Sequence, residues 1–251
     1  MAMTSPPLAC RLFVDAPLDA GARIAGAETQ SHYLRHVLRL RGGESVALFN
    51  GRDGEWRAAV VVLAKHGVAF EVAERLRAQV ETPGPWLAFA PIKKARIDLV
   101  AEKAAELGVG LLWPVLTRRT AAERVNLARL RANAVEAAEQ CGRLSVPEVR
   151  EATPLAALID AWPRDRRLFV LDETGAGAPI ARALRDVAPP TGAFQCGFLC
   201  GPEGGFDKSE LDALKELPFV TAVGLGPRIL RAETAALAAL VCFQAIGGDW
   251  R

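Results

Sequence analysis

Between residues 196 and 234 the chain reads CGFLCGPEGGFDKSELDALKELPFVTAVGLGPRILRAET, which states one pattern twice: an apolar run, a glycine-bearing loop, then a helix. The first loop, GPEGG at 201–205, follows the apolar run 194–200 and leads into a helix marked by Asp207 and Glu210 at capping-box spacing. The second, LGPRILRAET at 225–234, follows the run 219–223 and precedes an alanine- and leucine-rich helix. Units of this kind build a parallel sheet. Two such loops at adjacent strand ends would form one crevice, the usual place for a ligand in an α/β sheet.

The alternation extends back to residue 86. Residues 86–92 read as a strand, 95–107 as an amphipathic helix stopped by Gly108, and 111–116 as a second strand, together a βαβ unit. A long helix over 126–141 ends at Gly142. Thr153 with Pro154 has the N-cap then N1 arrangement of a short helix, 168–172 reads as a third strand, and 179–187 as a helix. Before residue 80 the chain has another character. Short β-like runs at 11–14, 44–49, 55–63 and 68–72, with NGRDG at 50–54 as a hairpin turn, give the pattern of a small barrel. The helical interruption HYLRHVLRL at 32–40 would set Tyr33, Val37 and Leu40 on one face and leave Arg35 and Arg39 free. The prolines and glycine of ETPGPW at 81–86 read as a linker.

With 251 residues and 51% apolar side chains, one or two domains can bury real cores. No apolar run approaches the ~18 residues of a membrane span, and MAMTSPPLACRLF lacks a basic segment followed by an apolar one, so the expectation is a cytoplasmic protein. Five cysteines, odd in number and mostly in apolar or helical contexts, favour reduced thiols. Cys196 and Cys200 are not followed by a further Cys/His pair, and no metal site is expected. The net charge of +2 does not by itself imply nucleic acid. Basic residues nonetheless cluster as Arg35, Arg39 and Arg41; as Lys93, Lys94 and Arg96; as Arg118, Arg119 and Arg124; and as Arg228 and Arg231. Any one cluster reads as a solvated face, whereas four near loops and helix ends suit a phosphate-facing surface.

Neither standard phosphate fingerprint is present. GPEGG is not GxxxxGK[ST], and GAGAPI at 175–180 lacks the third glycine of GxGxxG. Gly201, Gly204 and Gly205 allow close backbone approach, while Glu203 would repel phosphate; a tight turn with a capping role also accounts for GPEGG. In the second loop, Leu225, Ile229 and Leu230 offer apolar walls suited to a flat heterocycle, and Arg231, Glu233 and Thr234 place polar groups beside a helix start.

RLF at 11–13, HYLRHVLRLRGGE at 32–44, PIKKARIDLVAEKAAELGV at 91–109, EQCGR at 139–143, GPEGG and LGPRILRAET, in this order over nearly the whole chain, closely resemble the bacterial methyltransferases that modify N3 of a uridine in 16S ribosomal RNA. The resemblance implies an α/β chain with a C-terminal SPOUT-type domain, a parallel sheet with a deep trefoil knot, preceded by a small PUA-like β-barrel domain. The implied boundaries are 1–78 for the RNA-binding barrel, 79–85 for the linker and 86–251 for the methyltransferase domain. It further implies a homodimer, S-adenosyl-L-methionine as cofactor, and 16S rRNA within an assembled small subunit as partner. Cofactor contacts would come from Leu171, Glu173, Gly201, Gly204, Gly205, Leu225, Gly226, Ile229, Leu230, Arg231 and Thr234. Arg231 and Glu233 would be catalytic, the arginine stabilising the uracil anion and the carboxylate taking the N3 proton. Arg11, Arg35, Arg39, Arg41, Lys93, Arg96, Arg118 and Arg143 would face RNA, with Glu139 and Gln140 as further candidates. Two other readings stay open: a ribose 2′-hydroxyl or another base as target, and a non-catalytic RNA-binding assembly factor.

Overall fold

The computed structural model describes residues 7–250 apart from 66, 82, 122–123 and 190–193, and the Lys94 side chain also falls outside the described residues. The first six residues of the N-terminal stretch and position 82 of the expected linker are therefore not described. The chain divides into two compact units, Met1–Glu81 with Ala138–Val146, and Thr82–Ala137 with Pro147–Arg251.

The first unit holds β1 (Arg11–Phe13), β2 (Arg23–Gly26), α1 (Glu28–His32), a π-helical turn (Tyr33–Val37), β3 (Ser45–Phe49), β4 (Glu55–Ala64) and β5 (Gly67–Arg77). They form one five-stranded sheet in the order β1-β3-β4-β5-β2, antiparallel except for the β1–β3 pair. Residues 50–54 make the expected hairpin, with Phe49 opposite Glu55, and the Asn50 side-chain oxygen accepts from the N–H groups of Arg52 and Asp53. Register shifts at three places between β4 and β5 bend these long strands around a core that includes Leu12, Val46, Leu48, Val60 and Phe70. Strand β2 is absent from the sequence reading because RIAG carries only one fully buried side chain, Ile24.

The helical interruption differs from the expected one. Leu34 is fully buried, whereas Tyr33 and Val37 are exposed. The wider winding of the π turn, in which hydrogen bonds span five residues, rotates Leu34 inward and breaks the 3.6-residue register on which the expected face rested.

Residues 138–146 belong to this first unit, although they lie within the 86–251 range expected for the second domain. The reason is Arg11. Its guanidinium pairs with Glu55 and donates to the carbonyls of Ala138 (2.8 Å), Glu139 (2.9 Å) and Arg143 (2.8 Å), while the Phe13 N–H donates to the Glu139 carboxylate at 2.8 Å. Glu55 is buried, and Arg77 pairs with it from a second side.

The second unit contains β6 (Trp86–Phe89), α2 (Lys94–Glu106), β7 (Leu111–Leu116), α3 (Leu127–Cys141, its end in the first unit), β8 (Glu148–Val149), β9 (Thr153–Pro154) and α4 (Leu155–Ala161). It continues through β10 (Arg167–Leu171), β11 (Ala178–Pro179), α5 (Ile180–Val187), β12 (Cys196–Cys200), α6 (Lys208–Lys215), β13 (Val220–Gly224) and α7 (Ala232–Ile246). All its pairings are parallel, in the order β11-β13-β10-β12-β6-β7-β8, with β9 also on β7. Helices cover such a sheet, so its central strands read as apolar runs: LFVL after Arg167 in β10 and CGFLC in β12. The core joins Trp113, Trp162, Leu168, Val170, Leu199 and Phe219, with Arg166 stacked over Trp86 at 4.1 Å.

Two local expectations change. Thr153 is not a helix cap: its hydroxyl accepts from the Trp113 indole (3.2 Å) and donates to the Glu151 carbonyl (3.1 Å), and Pro154 takes the N-cap position of α4. The strands β12 and β13 are not neighbours, since β10 lies between them. VTAVG in β13 is only partly buried and sits outside the central strands, so the two glycine loops flank the β10 exit instead of adjoining each other.

Candidate active site

The carboxyl ends of β10, β12 and β13 surround a cavity of about 470 Å³. Three loops form its walls. The β10 exit contributes Leu171 to Gly175, the β12 exit contributes Cys200 to Glu203 with Gly205, and the β13 exit contributes Val223 and then Leu225 through Ala232. Arg96, in the first turn of α2, completes the lining.

The GPEGG loop is fixed from both ends. Downstream, the Asp207 carboxylate accepts from the Ser209 N–H at 3.0 Å and Glu210 reaches back to the Asp207 N–H at 3.2 Å, the reciprocal cap the spacing predicts. Within the loop, the Gly205 N–H donates to the Pro202 carbonyl at 2.9 Å and Gly205 adopts φ +70°. Its α-carbon faces Glu173, whose Oε1 accepts from the Phe206 N–H at 3.2 Å. The β10 exit is thus tied to the β12 exit.

Asp172 is buried at the cavity wall. Its Oδ1 accepts from the Thr174 N–H (2.9 Å) and hydroxyl (2.6 Å), and its Oδ2 lies 2.8 Å from Lys215 Nζ on α6. Burial works against its charge but is outweighed by Lys215 and Thr174, so its pKa lies below the ordinary 3.8. Cys200 also lines the cavity. Burial, with the nearby charges of Glu173 and Glu233, pushes its thiol up to about 12, so it is no nucleophile at neutral pH. Among the described residues no cluster of three or more His, Cys, Asp or Glu side chains could hold a metal.

The LGPRILRAET loop turns at Gly226 (φ +97°) and enters α7 with Arg231 as N-cap. Leu225, Ile229 and Leu230 face the cavity, and Ile229 is 87% exposed at its mouth. Arg228 and Arg231 are exposed and line the cavity as well. Glu233 does not line it. That carboxylate is buried, with Oε1 3.4 Å from Arg96 Nε and Oε2 lacking a hydrogen-bond partner among the described residues. Arg96 Nη1 also donates to Glu203 Oε1 at 3.1 Å.

Of the residues singled out from the sequence, Leu171, Glu173, Gly201, Gly205, Leu225, Gly226, Ile229, Leu230, Arg231 and Arg96 meet at the cavity. Gly204 and Thr234 are not on its wall; the Gly204 carbonyl accepts from Arg119 at 3.1 Å and Thr234 is exposed. Arg118 is bound to the start of α6, through its backbone to Glu210 (2.9 Å) and its side chain to Ser209 (2.7 Å) and Asp207 (3.4 Å). Arg143 reaches the Ser145 hydroxyl at 3.4 Å in the first unit. Lys93, Arg39 and Arg41 are exposed and Arg35 half-buried, with Arg39 held at φ +56°. Sequence reasoning passed over Asp172, although a carboxylate ending the apolar strand RLFVL is a visible signal; Lys215 gives none, because its pairing exists only in the folded unit.

Residues 81–244 match the RNA methyltransferase domain, and residues 27–73 match the RNA methyltransferase PUA domain. The chain is 32% identical over 243 residues to ribosomal RNA small subunit methyltransferase E of Synechocystis, covering 95% of this chain and 78% of that one. Against the protein of the same name from Rickettsia conorii the identity is 29% over 238 residues, covering 94% and 96%. Among solved structures, ribosomal RNA small subunit methyltransferase E of Neisseria gonorrhoeae bound to S-adenosyl methionine aligns with a TM-score of 0.85 at 30% identity, covering 96% of this chain and 99% of that one. A Legionella pneumophila methyltransferase in complex with the same cofactor aligns at 0.83 and 29%, covering 94% and 97%. Fold and matched domains are those of a SPOUT-type RNA methyltransferase with an N-terminal PUA domain. The chain belongs to the ribosomal RNA small subunit methyltransferase E family.

Proposed function

We propose that this protein methylates N3 of a uridine in 16S ribosomal RNA, with S-adenosylmethionine as methyl donor. The observation that carries the reading is the cavity where three strand exits meet, with apolar walls, turned glycine backbone and a mouth bearing Arg96, Arg228 and Arg231. About 470 Å³ falls in the range of small-molecule sites. The donor set suits an adenosyl amino acid. Leu225, Ile229 and Leu230 are fit to flank a flat base, Glu173 to accept from hydroxyl or ammonium groups, and the backbone of Gly201, Gly205 and Gly226 to approach closely. When bound, the donor would supply an electrophilic sulfonium methyl for in-line transfer to nitrogen, with the neutral thioether as leaving group.

The chain's own task is then alignment and charge. Uracil N3 carries a proton, and cationic groups at the mouth favour its loss by stabilising the anion. Arg231, at the start of α7, is positioned at that mouth. Residues 1–78 would bind RNA, with Arg35, Arg39 and Arg41 facing phosphates, 79–85 would link, and 86–251, of which 138–146 falls in the first unit, would carry catalysis, with Lys93 there also facing phosphate. A homodimer acting in the cytoplasm on an assembled small subunit completes the reading; no helix among the described residues is long and apolar enough to cross a membrane.

Nucleoside mass spectrometry of ribosomal RNA from cells lacking the gene is the test. Loss of 3-methyluridine, restored by the intact protein, is expected. Unchanged 3-methyluridine would overturn the assignment, and loss of a 2′-O-methyl nucleoside would move the target to ribose.

A further inference from the structure

Arg96 and Glu233 stand in a relation that neither residue's sequence context suggests. Arg96 sits in the first turn of α2 and Glu233 in the first turn of α7, yet their charged groups are 3.4 Å apart. The arginine faces the cavity and the carboxylate does not. The Glu233 side chain is 11% exposed, and its Oε1 is directed at Arg96. A buried carboxylate is costly unless paired, so this site is built to hold a cation. The guanidinium is gripped from the other side by Glu203 in the GPEGG loop at 3.1 Å. Arginine carries five N–H donors in a planar fork. With Nε turned to Glu233 and Nη1 to Glu203, none of the remaining donors is taken by a hydrogen bond among the described residues, and the side chain lines the cavity.

On the reading above of uracil N3 as the methyl acceptor, we infer that Arg96 is the catalytic group that stabilises the uracil anion and that Glu233 is its positioning residue, not a general base. When the N3–H bond breaks, the proton passes to water and the electron pair spreads over N3 and the flanking carbonyl oxygens. A fixed guanidinium donating to one of those oxygens lowers the pKa of the bound base. Glu233 keeps the fork in place before the base arrives, so no reorganisation is needed as charge develops. A proton-accepting role would instead require the Glu233 carboxylate to reach the base past the arginine that covers it.

The test is a double-mutant cycle in single-turnover methylation of small subunits lacking the modification, at saturating S-adenosylmethionine, with Arg96→Ala, Glu233→Gln and the double variant. Arg96→Ala should lower the rate about 100-fold, and Glu233→Gln about 10-fold. The double variant should be no slower than Arg96→Ala alone, because a positioning residue has nothing left to position. The Arg96→Ala defect should shrink as pH rises and the base ionises unaided. In the free protein, the Arg96 Nε–H resonance should exchange slowly with water and lose that protection in Glu233→Gln; calorimetry on each variant sets the S-adenosylmethionine concentration that saturates it, so that the rates compare the methyl-transfer step alone. A double variant slower by the product of the two single defects would overturn the positioning role, and a full rate in Arg96→Ala would overturn the catalytic one. If the wild-type protein forms no 3-methyluridine on these subunits, the underlying function fails; the free-protein resonance then still reports whether Glu233 holds Arg96.

Discussion

Two neighbouring glycines, Gly204 and Gly205, look equivalent in the motif GPEGG and should behave differently when replaced by alanine. At Gly205 the backbone has φ +70°, a conformation that costs an L-residue roughly 1–2 kcal/mol. A β-carbon there would also run into Glu173 Oε1, so the carboxylate must swing away and release the Phe206 N–H, a further loss of about 1 kcal/mol. At Gly204 φ is outside the left-handed region, and an added β-carbon would meet only Arg119 at 3.8 Å, an ordinary contact. The combined penalty at Gly205, about 2–3 kcal/mol, divides between the folded state and the cavity wall that Glu173 forms. If half falls on the wall, affinity for S-adenosylmethionine drops about tenfold. Calorimetric titration of the cofactor, with urea unfolding alongside, measures both shares. Gly205→Ala should bind at least tenfold more weakly and unfold at lower urea, whereas Gly204→Ala should match wild type within twofold in both. Equal weakening by the two substitutions, or wild-type affinity in Gly205→Ala, would refute the argument that φ and the Glu173 contact set the shape of the loop.

Arg11→Ala should destabilise the first unit by about 3 kcal/mol, because it leaves buried Glu55 with Arg77 alone and the 138–143 carbonyls without their donor; the shift of the urea midpoint measures it. Burial opposes the charge of Glu55, but hydrogen bonds from Arg77 and Arg11 outweigh it and hold its folded pKa below the ordinary 4.5. Asp172 is likewise held below 3.8. For both, the folded value is the lower one, so their contribution to stability is complete above the ordinary carboxylate pKa and is lost as pH falls through the folded values. Urea stability should therefore fall as pH drops from 5 towards 3, and Asp172→Asn should flatten that fall; an unchanged slope would remove Asp172 as its source. Arg39→Gly should relieve the left-handed strain and stabilise the protein by about 1 kcal/mol. If Arg39 touches phosphate, the same substitution should weaken RNA binding and lower the salt slope by roughly one; an unchanged slope returns Arg39 to a solvated face.

What could be read from the sequence divides by whether the determinant is local. The GPEGG turn and the Asp207–Glu210 cap depend on a few consecutive residues, and the structure has them where the pattern placed them, whereas α7 begins at Ala232, inside the segment read as the second loop. Strand order depends on competition for the centre of the sheet. VTAVG and RLFVL carry one polar residue each, so composition does not separate them; spacing suggested neighbours, and β10 intervenes. The helix at 32–40 failed for a reason periodicity cannot supply, since a π turn obeys another period. Arg11 shows the limit for charges. RLF reads as a strand, and the resemblance turns its arginine to RNA, yet Arg11 is bound to a segment more than a hundred residues away and holds 138–146 in the first unit.

The same division applies to Glu233. A carboxylate two residues after Arg231 invites pairing with that arginine or chemistry on the substrate. A helix start gives neighbouring side chains different directions, however, and in α7 Arg231 turns to the cavity while Glu233 turns to α2. Burial then decides the partner. An exposed carboxylate gains at most about 1 kcal/mol from any one cation, so its partner is not fixed, whereas Glu233 is buried and must keep Arg96. The cost of leaving that carboxylate unpaired fixes the position of the arginine at the cavity mouth, and the PIKKAR segment acquires a place in the site that its own residues do not disclose.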